Sequence, residues 1–268
     1  MHNRITVFAI FALPALATAS GWQHYGGDAG GQRYAAESEV TPANVAGLVP
    51  AWQFRTGDAT DADPEHGRRS SFRATPVLFA DNLLFSTGFN RVFSIGAETG
   101  ELRWVYDPKV DFSVSYSEMF TSRGVSVWID RSADSETVCA NRVLLGTLDA
   151  RLIALDANTG KVCEQFGRNG AIDLSTGVRN FRRGEYSLTS PVTVVNDVIV
   201  VGSSVGDNGG VKIDSGIVRG YAAATGRLLW SWDPVPGRVS APGGKSWGRR
   251  GGKGNGGTNV WSVISADP

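Results

Sequence analysis

Cysteine and histidine are scarce in this chain of 268 residues, and their scarcity removes whole classes of chemistry. There are only two cysteines, Cys139 and Cys163, no CxxC pair and no histidine-rich cluster, which excludes the usual zinc and haem attachment patterns. Excess charge is missing as well. The 26 lysines plus arginines equal the 26 aspartates plus glutamates, so nothing points to nucleic acid or an anionic membrane. Helical periodicity is almost absent. Beyond the first residues no stretch approaches the roughly 20 apolar residues of a membrane span.

The one apolar run, Ile5 to Ala17, is itself too short to span well. It follows Arg4 and closes on Ala17-Thr18-Ala19, small residues that suit signal-peptide cleavage, with Ser20 next. We therefore expect a signal peptide over residues 1–19 and a periplasmic mature domain over residues 20–268; an uncleaved anchor is the alternative. In an oxidising compartment Cys139 and Cys163 form either one disulfide or two separate buried thiols. A disulfide would close a loop of about 25 residues, worth roughly 3 kcal/mol.

Glycine and tryptophan are abundant: 34 and 8 residues, a composition of short strands joined by tight turns. A repeat organises them. Val92-Phe-Ser-Ile-Gly-Ala-Glu-Thr-Gly-Glu-Leu-Arg-Trp104, Leu152-Ile-Ala-Leu-Asp-Ala-Asn-Thr-Gly-Lys-Val-Cys163 and Val218-Arg-Gly-Tyr-Ala-Ala-Ala-Thr-Gly-Arg-Leu-Leu-Trp230 share one pattern. Each reads as an alternating strand, a Thr-Gly turn whose glycine supplies positive φ, and a second strand three residues later. A weaker fourth copy lies at Leu48–Phe54, and further strands are expected within 74–86, 125–129, 142–147 and 191–203. Repeated units of four short strands indicate an all-β propeller rather than a sandwich, with about four blades present. A propeller must close to hide its sheet edges, so an incomplete ring, truncated or paired with a missing C-terminal half, is expected.

These repeats, with Thr-Gly and a closing tryptophan, resemble the blades of the pyrroloquinoline-quinone-dependent dehydrogenases, an eight-bladed family, and most closely its glucose/quinate/shikimate branch. Trp22–Tyr34 and Ala51–Asp58 are similar to that family's opening segments. The resemblance runs through essentially the whole mature chain and implies a soluble periplasmic relative. It implies oxidation of a sugar, polyol or alcohol, with electrons passing to ubiquinone or a cytochrome.

The resemblance also assigns residues. Thr121-Ser-Arg-Gly-Val-Ser126 resembles the segment whose arginine binds a cofactor carboxylate, which implicates Arg123; a guanidinium pairs bidentately with carboxylate. Thr189-Ser-Pro191 and Gly202-Ser-Ser-Val-Gly-Asp-Asn208 resemble segments that supply hydroxyls and a calcium ligand. They implicate Thr189 and Ser204 for the cofactor, and Asp207 and Asn208 for Ca²⁺, which takes oxygen ligands. Gly256-Gly-Thr-Asn-Val-Trp261 resembles the segment that lays a tryptophan flat against the quinone, which implicates Trp261. The bland readings are a surface arginine, a turn and a structural blade tryptophan.

Two departures touch the rim. Met119 stands where the glucose branch has histidine, and Arg73 stands where glutamate often precedes the first blade's Thr-Pro. Glucose is therefore doubtful as the substrate. The family's catalytic aspartate and another metal ligand come from later blades, so no catalytic base is assigned.

Other signals are weaker. Gly243-Gly-Lys-Ser246 matches only the end of a phosphate-binding loop, because Val239 stands where its first glycine belongs. The basic, glycine-rich stretch 238–257, with Arg249, Arg250 and Lys253, reads as a connection between blades. Asp61, Asp63, Glu65 and His66 read as a solvated loop. The rival function is a non-catalytic propeller scaffold like the outer-membrane assembly lipoprotein, which shares the blade repeat. A lipoprotein needs cysteine where Ser20 stands, and a scaffold has no use for the Arg123, Asp207 and Trp261 set.

Overall fold

Alternating apolar residues and hairpin turns divide the chain into three four-stranded antiparallel sheets, each with its strands in sequential order. The first comprises Val77–Phe79, Asn82–Ser86, Val92–Gly96 and Leu102–Tyr106. The second comprises Ser126–Ile129, Asn141–Gly146, Arg151–Asp156 and Ala171–Asp173. The third comprises Thr193–Val195, Val198–Val201, Val218–Ala222 and Leu228–Trp232. This is the blade arrangement of a propeller. The structure, a computed structural model, describes residues 21–36, 38–58, 64–248, 252 and 254–267. The signal peptide expected over residues 1–19 lies outside the described residues, as do Asp61, Asp63, Arg249, Arg250 and Lys253 and the side chains of Glu65 and His66.

Period-two alternation assigns the side chains of one strand to two cores. From the wholly buried Asn141–Gly146, Leu144 joins Leu152, Phe166, Tyr186 and Ile199 between the second and third sheets. Its neighbours Val143 and Leu145 join Val77, Leu84 and Leu155 between the first and second. The blades are thus tied in series by sheet-on-sheet packing.

The Thr-Gly turns supply a second tie. Trp104, at the end of the first repeat, donates its Nε1–H to the Ala157 carbonyl at 3.2 Å. Its ring lies where a Cβ on Gly160 would fall, 2.5 Å from the nearest ring atom, and Gly160 has φ +70°. Trp52 does the same at Ala97 and Gly100, with a 3.1 Å hydrogen bond. The weak fourth copy therefore packs against the first sheet, although no strand forms over Leu48–Phe54 among the described residues.

The second repeat departs from its expected form. After Thr159-Gly160 the chain makes only a single bridge, Val162 to Leu155, and the outer strand is instead Ala171–Asp173. Cys163 bonds Cys139, with Cα atoms 5.8 Å apart, which decides between the two cysteine readings. Beside it the buried Arg142 donates to the carbonyls of Cys139, Ala223 and Ala224 and lies over the ring of Trp128. At this junction an arginine reaches the alanine-rich turn that a tryptophan reaches elsewhere.

Candidate functional site

Each sheet is entered through a short extended segment before its inner strand, and these segments bond to one another across the blades. Thr75 N–H donates to the Arg123 carbonyl at 3.1 Å, and Arg123 N–H donates to the Thr189 carbonyl at 2.9 Å. Ser190 Oγ–H then donates to the Trp261 carbonyl at 2.7 Å. One step further along the same segments, the Ser126 hydroxyl donates to the Val192 carbonyl and the Thr193 hydroxyl to the Ile264 carbonyl. Arg123, Thr189 and Trp261, far apart in sequence, therefore lie on neighbouring entry segments of successive units.

Their side chains meet. Arg123 Nη1 donates to the Thr189 carbonyl at 3.1 Å, to Thr189 Oγ1 at 3.0 Å and to Ser190 Oγ at 3.5 Å. Its Cζ lies 5.0 Å from the Trp261 ring centroid, within cation–π range. Arg123 forms no ion pair with a carboxylate among the described residues. Burial pushes its guanidinium pKa down, Arg73 pushes the same way, and Tyr25 and Glu118 oppose them. An arginine so placed remains charged, because its ordinary value is so high.

Trp261 is 49% exposed, which leaves indole surface open to a ligand. Its segment is held by close backbone contact. A Cβ on Gly202 would lie 2.2 Å from the Val260 carbonyl oxygen, and one on Gly216 2.2 Å from that of Thr258. Asn259 Nδ2 donates to the Ser203 carbonyl at 2.9 Å.

Ser204 is buried, and its hydroxyl donates to Glu118 Oε1 at 2.6 Å rather than to Arg123. It joins the neighbourhood through Glu118, whose charge acts on Arg123. Asp207 and Asn208 lie on a short exposed 3₁₀ turn, Asp207–Gly209. The preceding Gly206 lies against the Glu185 carboxylate, whose Oε2 is 1.6 Å from where a Cβ would stand. The described residues hold no cluster of three or more His, Cys, Asp or Glu side chains suited to a metal. Asp207 and Asn208 alone do not make the shell of six to eight oxygens that Ca²⁺ takes.

Glu118, Ser190 and Asn259 escaped the sequence reading. Ser190 and Asn259 lie within segments that were singled out, whereas Glu118 carries no pattern beyond its place beside Met119. The site itself is an open face. The nearest sizeable cavity, about 200 Å³, lies beyond Pro191 and is lined by His24, Tyr25, Asp28, Arg33 and Thr193.

A sector of blades whose entry segments converge on an arginine, hydroxyls and a half-exposed indole defines a propeller face suited to a flat anionic ligand. The chain belongs to the family of the PQQ glucose/ethanol/alcohol dehydrogenase β-propeller domain, whose model matches residues 22–268. It is 35% identical over 220 residues to the quinoprotein glucose dehydrogenase of Escherichia coli K12, covering 80% of this chain and 27% of that protein. To the quinate/shikimate dehydrogenase (quinone) of Acinetobacter baylyi it is 32% identical over 266 residues, covering 92% of this chain and 31% of the relative. The solved structure of the quinohemoprotein alcohol dehydrogenase ADHIIG of Pseudomonas putida HK5 superposes with a TM-score of 0.73 at 26% identity, covering 93% of this chain and 33% of that one. The chain thus spans about a third of the length of these relatives.

Proposed function

We propose that this chain forms the cofactor-binding sector of a periplasmic, pyrroloquinoline-quinone-dependent dehydrogenase. The enzyme oxidises a hydroxyl group of a sugar, polyol or alcohol and passes the electrons to a quinone or cytochrome. One observation carries the reading: Arg123, Thr189 and Trp261 converge from three successive units onto one face. The donor set fits a planar polycarboxylate. It offers a guanidinium without a carboxylate partner among the described residues, adjacent hydroxyls and an aromatic surface.

When bound, the quinone would accept the hydride equivalent of the substrate alcohol, a capacity that belongs to the cofactor and not to the protein. The chain's own residues bind and orient. Arg123 holds a carboxylate, Thr189 and Ser190 fix the arginine's direction, and Trp261 sets the plane of the ligand. Glu118 holds Ser204. Asp207, with Asn208, offers Ca²⁺ one edge of an oxygen shell that these two residues do not complete. No residue described here is assigned as the base that takes the substrate proton.

The test is a titration of the chain with pyrroloquinoline quinone and Ca²⁺, followed by tryptophan fluorescence. Saturable quenching is expected, weakened about 10- to 100-fold in Arg123→Ala, as for loss of a hydrogen-bonded charge. An Asp207→Ala variant is expected to lose the Ca²⁺ dependence. Quenching that is indifferent to Arg123 would end the assignment. Export is checked separately, by the N-terminal residue of the mature chain, expected to be Ser20.

A further inference from the structure

The first sheet also has an entry segment, and the residue it carries to the site is Arg73. Residues 70–72 and 120–122 form a parallel pair in the register Ser70 to Phe120, Ser71 to Thr121 and Phe72 to Ser122. Arg73 and Arg123 are the residues that directly follow this pair on the two segments. The two segments stay together beyond the pair, because Thr75 N–H donates to the Arg123 carbonyl at 3.1 Å. Gly124 maintains the close approach: a Cβ there would lie 3.1 Å from the Thr75 carbonyl oxygen. Arg73 thus leaves the pair beside Arg123, close enough that its charge pushes the Arg123 pKa down.

Neither arginine pairs with a carboxylate among the described residues. Two like charges on neighbouring backbones repel, and an anion that bridges them removes the repulsion. Arg73 is exposed and Arg123 half-buried, so the pair runs from the rim inward. We propose that Arg73 and Arg123 form a two-guanidinium site that takes a second carboxylate beside the one held by Arg123, so that this face accommodates two carboxylates side by side. The inference rests on the proposed function in taking the Arg123 and Trp261 face as the binding face. The second carboxylate can belong to the quinone cofactor or to a hydroxy-acid substrate, and the two sources are separable by experiment.

The experiment compares the unsubstituted chain with Arg73→Gln and Arg73→Glu, using four probes followed by tryptophan fluorescence. Benzene-1,3-dicarboxylate and benzoate report on the site without any cofactor. The dicarboxylate is expected to bind about tenfold more tightly than benzoate, a preference abolished in Arg73→Gln and reversed in Arg73→Glu. Absence of that preference, or its survival in Arg73→Gln, overturns the proposal. Pyrroloquinoline quinone and, on the quinone-saturated chain, quinate identify the source. Weakening of the quinone in Arg73→Gln assigns the carboxylate to the cofactor, whereas weakening of quinate alone assigns it to the substrate. If the quinone binds and neither it nor quinate responds to Arg73→Gln, the proposal is overturned. A chain that prefers the dicarboxylate but never binds the quinone would refute the dehydrogenase reading and leave the two-arginine site standing.

Discussion

Trp104 and Trp230 end the same repeat, yet only one of them is buried. Trp104 pairs across its sheet with Ser94, and Trp230 with Gly220, beside the same local irregularity of register in both sheets. Trp104 is 9% exposed because the turn of the second sheet receives it; Trp230 is 42% exposed on an outer strand whose five residues are all exposed. Within one sheet the motif merely presents an indole. Its energetic value arises only where a neighbouring Ala-x-Thr-Gly turn supplies an acceptor and a glycine with no Cβ in the way. The junction between the second and third sheets adds a third case, in which the disulfide and Arg142 stand at the turn in place of an indole.

The sharpest way to break this comparison is Trp104→Ala. It removes a buried ring and the hydrogen bond to Ala157, and is expected to lower unfolding stability by about 3–5 kcal/mol in urea denaturation. Replacing both cysteines, Cys139→Ser with Cys163→Ser, is expected to cost about 3 kcal/mol, read by the same denaturation. If the double variant were as stable as the parent, Arg142 and the apolar core would hold the second junction without the disulfide. Arg142→Met keeps much of the apolar bulk but leaves the Cys139, Ala223 and Ala224 carbonyls without their donor. A loss of about 2 kcal/mol is expected, with the disulfide still formed by thiol titration. Trp230→Ala should cost the least, under about 1 kcal/mol, because half of the ring is already in water. A loss at Trp230 equal to that at Trp104 would mean that the indole stabilises its own sheet, and the comparison would fail.

The candidate site shows the same division between motif and partner. Arg123, Thr189 and Trp261 were legible because each lies in a segment with a recognisable residue pattern, and the entry segments bring them into contact. Ser204 was legible as a candidate cofactor contact but not as the donor to Glu118, since a serine's partner is chosen by whatever packs opposite. Arg73 was visible only as an odd residue before Thr75-Pro76. Its significance comes from the parallel pairing of residues 70–72 with 120–122, a contact between segments some 50 residues apart. The outer strand of the second sheet was misplaced for a related reason. Local alternation after Thr159-Gly160 favoured an immediate strand, but the bond from Cys163 to Cys139 takes the chain aside before it returns at Ala171.

The amino-acid sequence by itself determined the repeat, the hairpins and the apolar faces, because strand alternation and positive-φ turns depend on residues a few positions apart. Only the tertiary structure decided which tryptophan is buried, which cysteine reading holds and which arginine lies beside Arg123. Those outcomes depend on burial and on donor–acceptor geometry between blades. Such geometry exists only once the sheets have stacked.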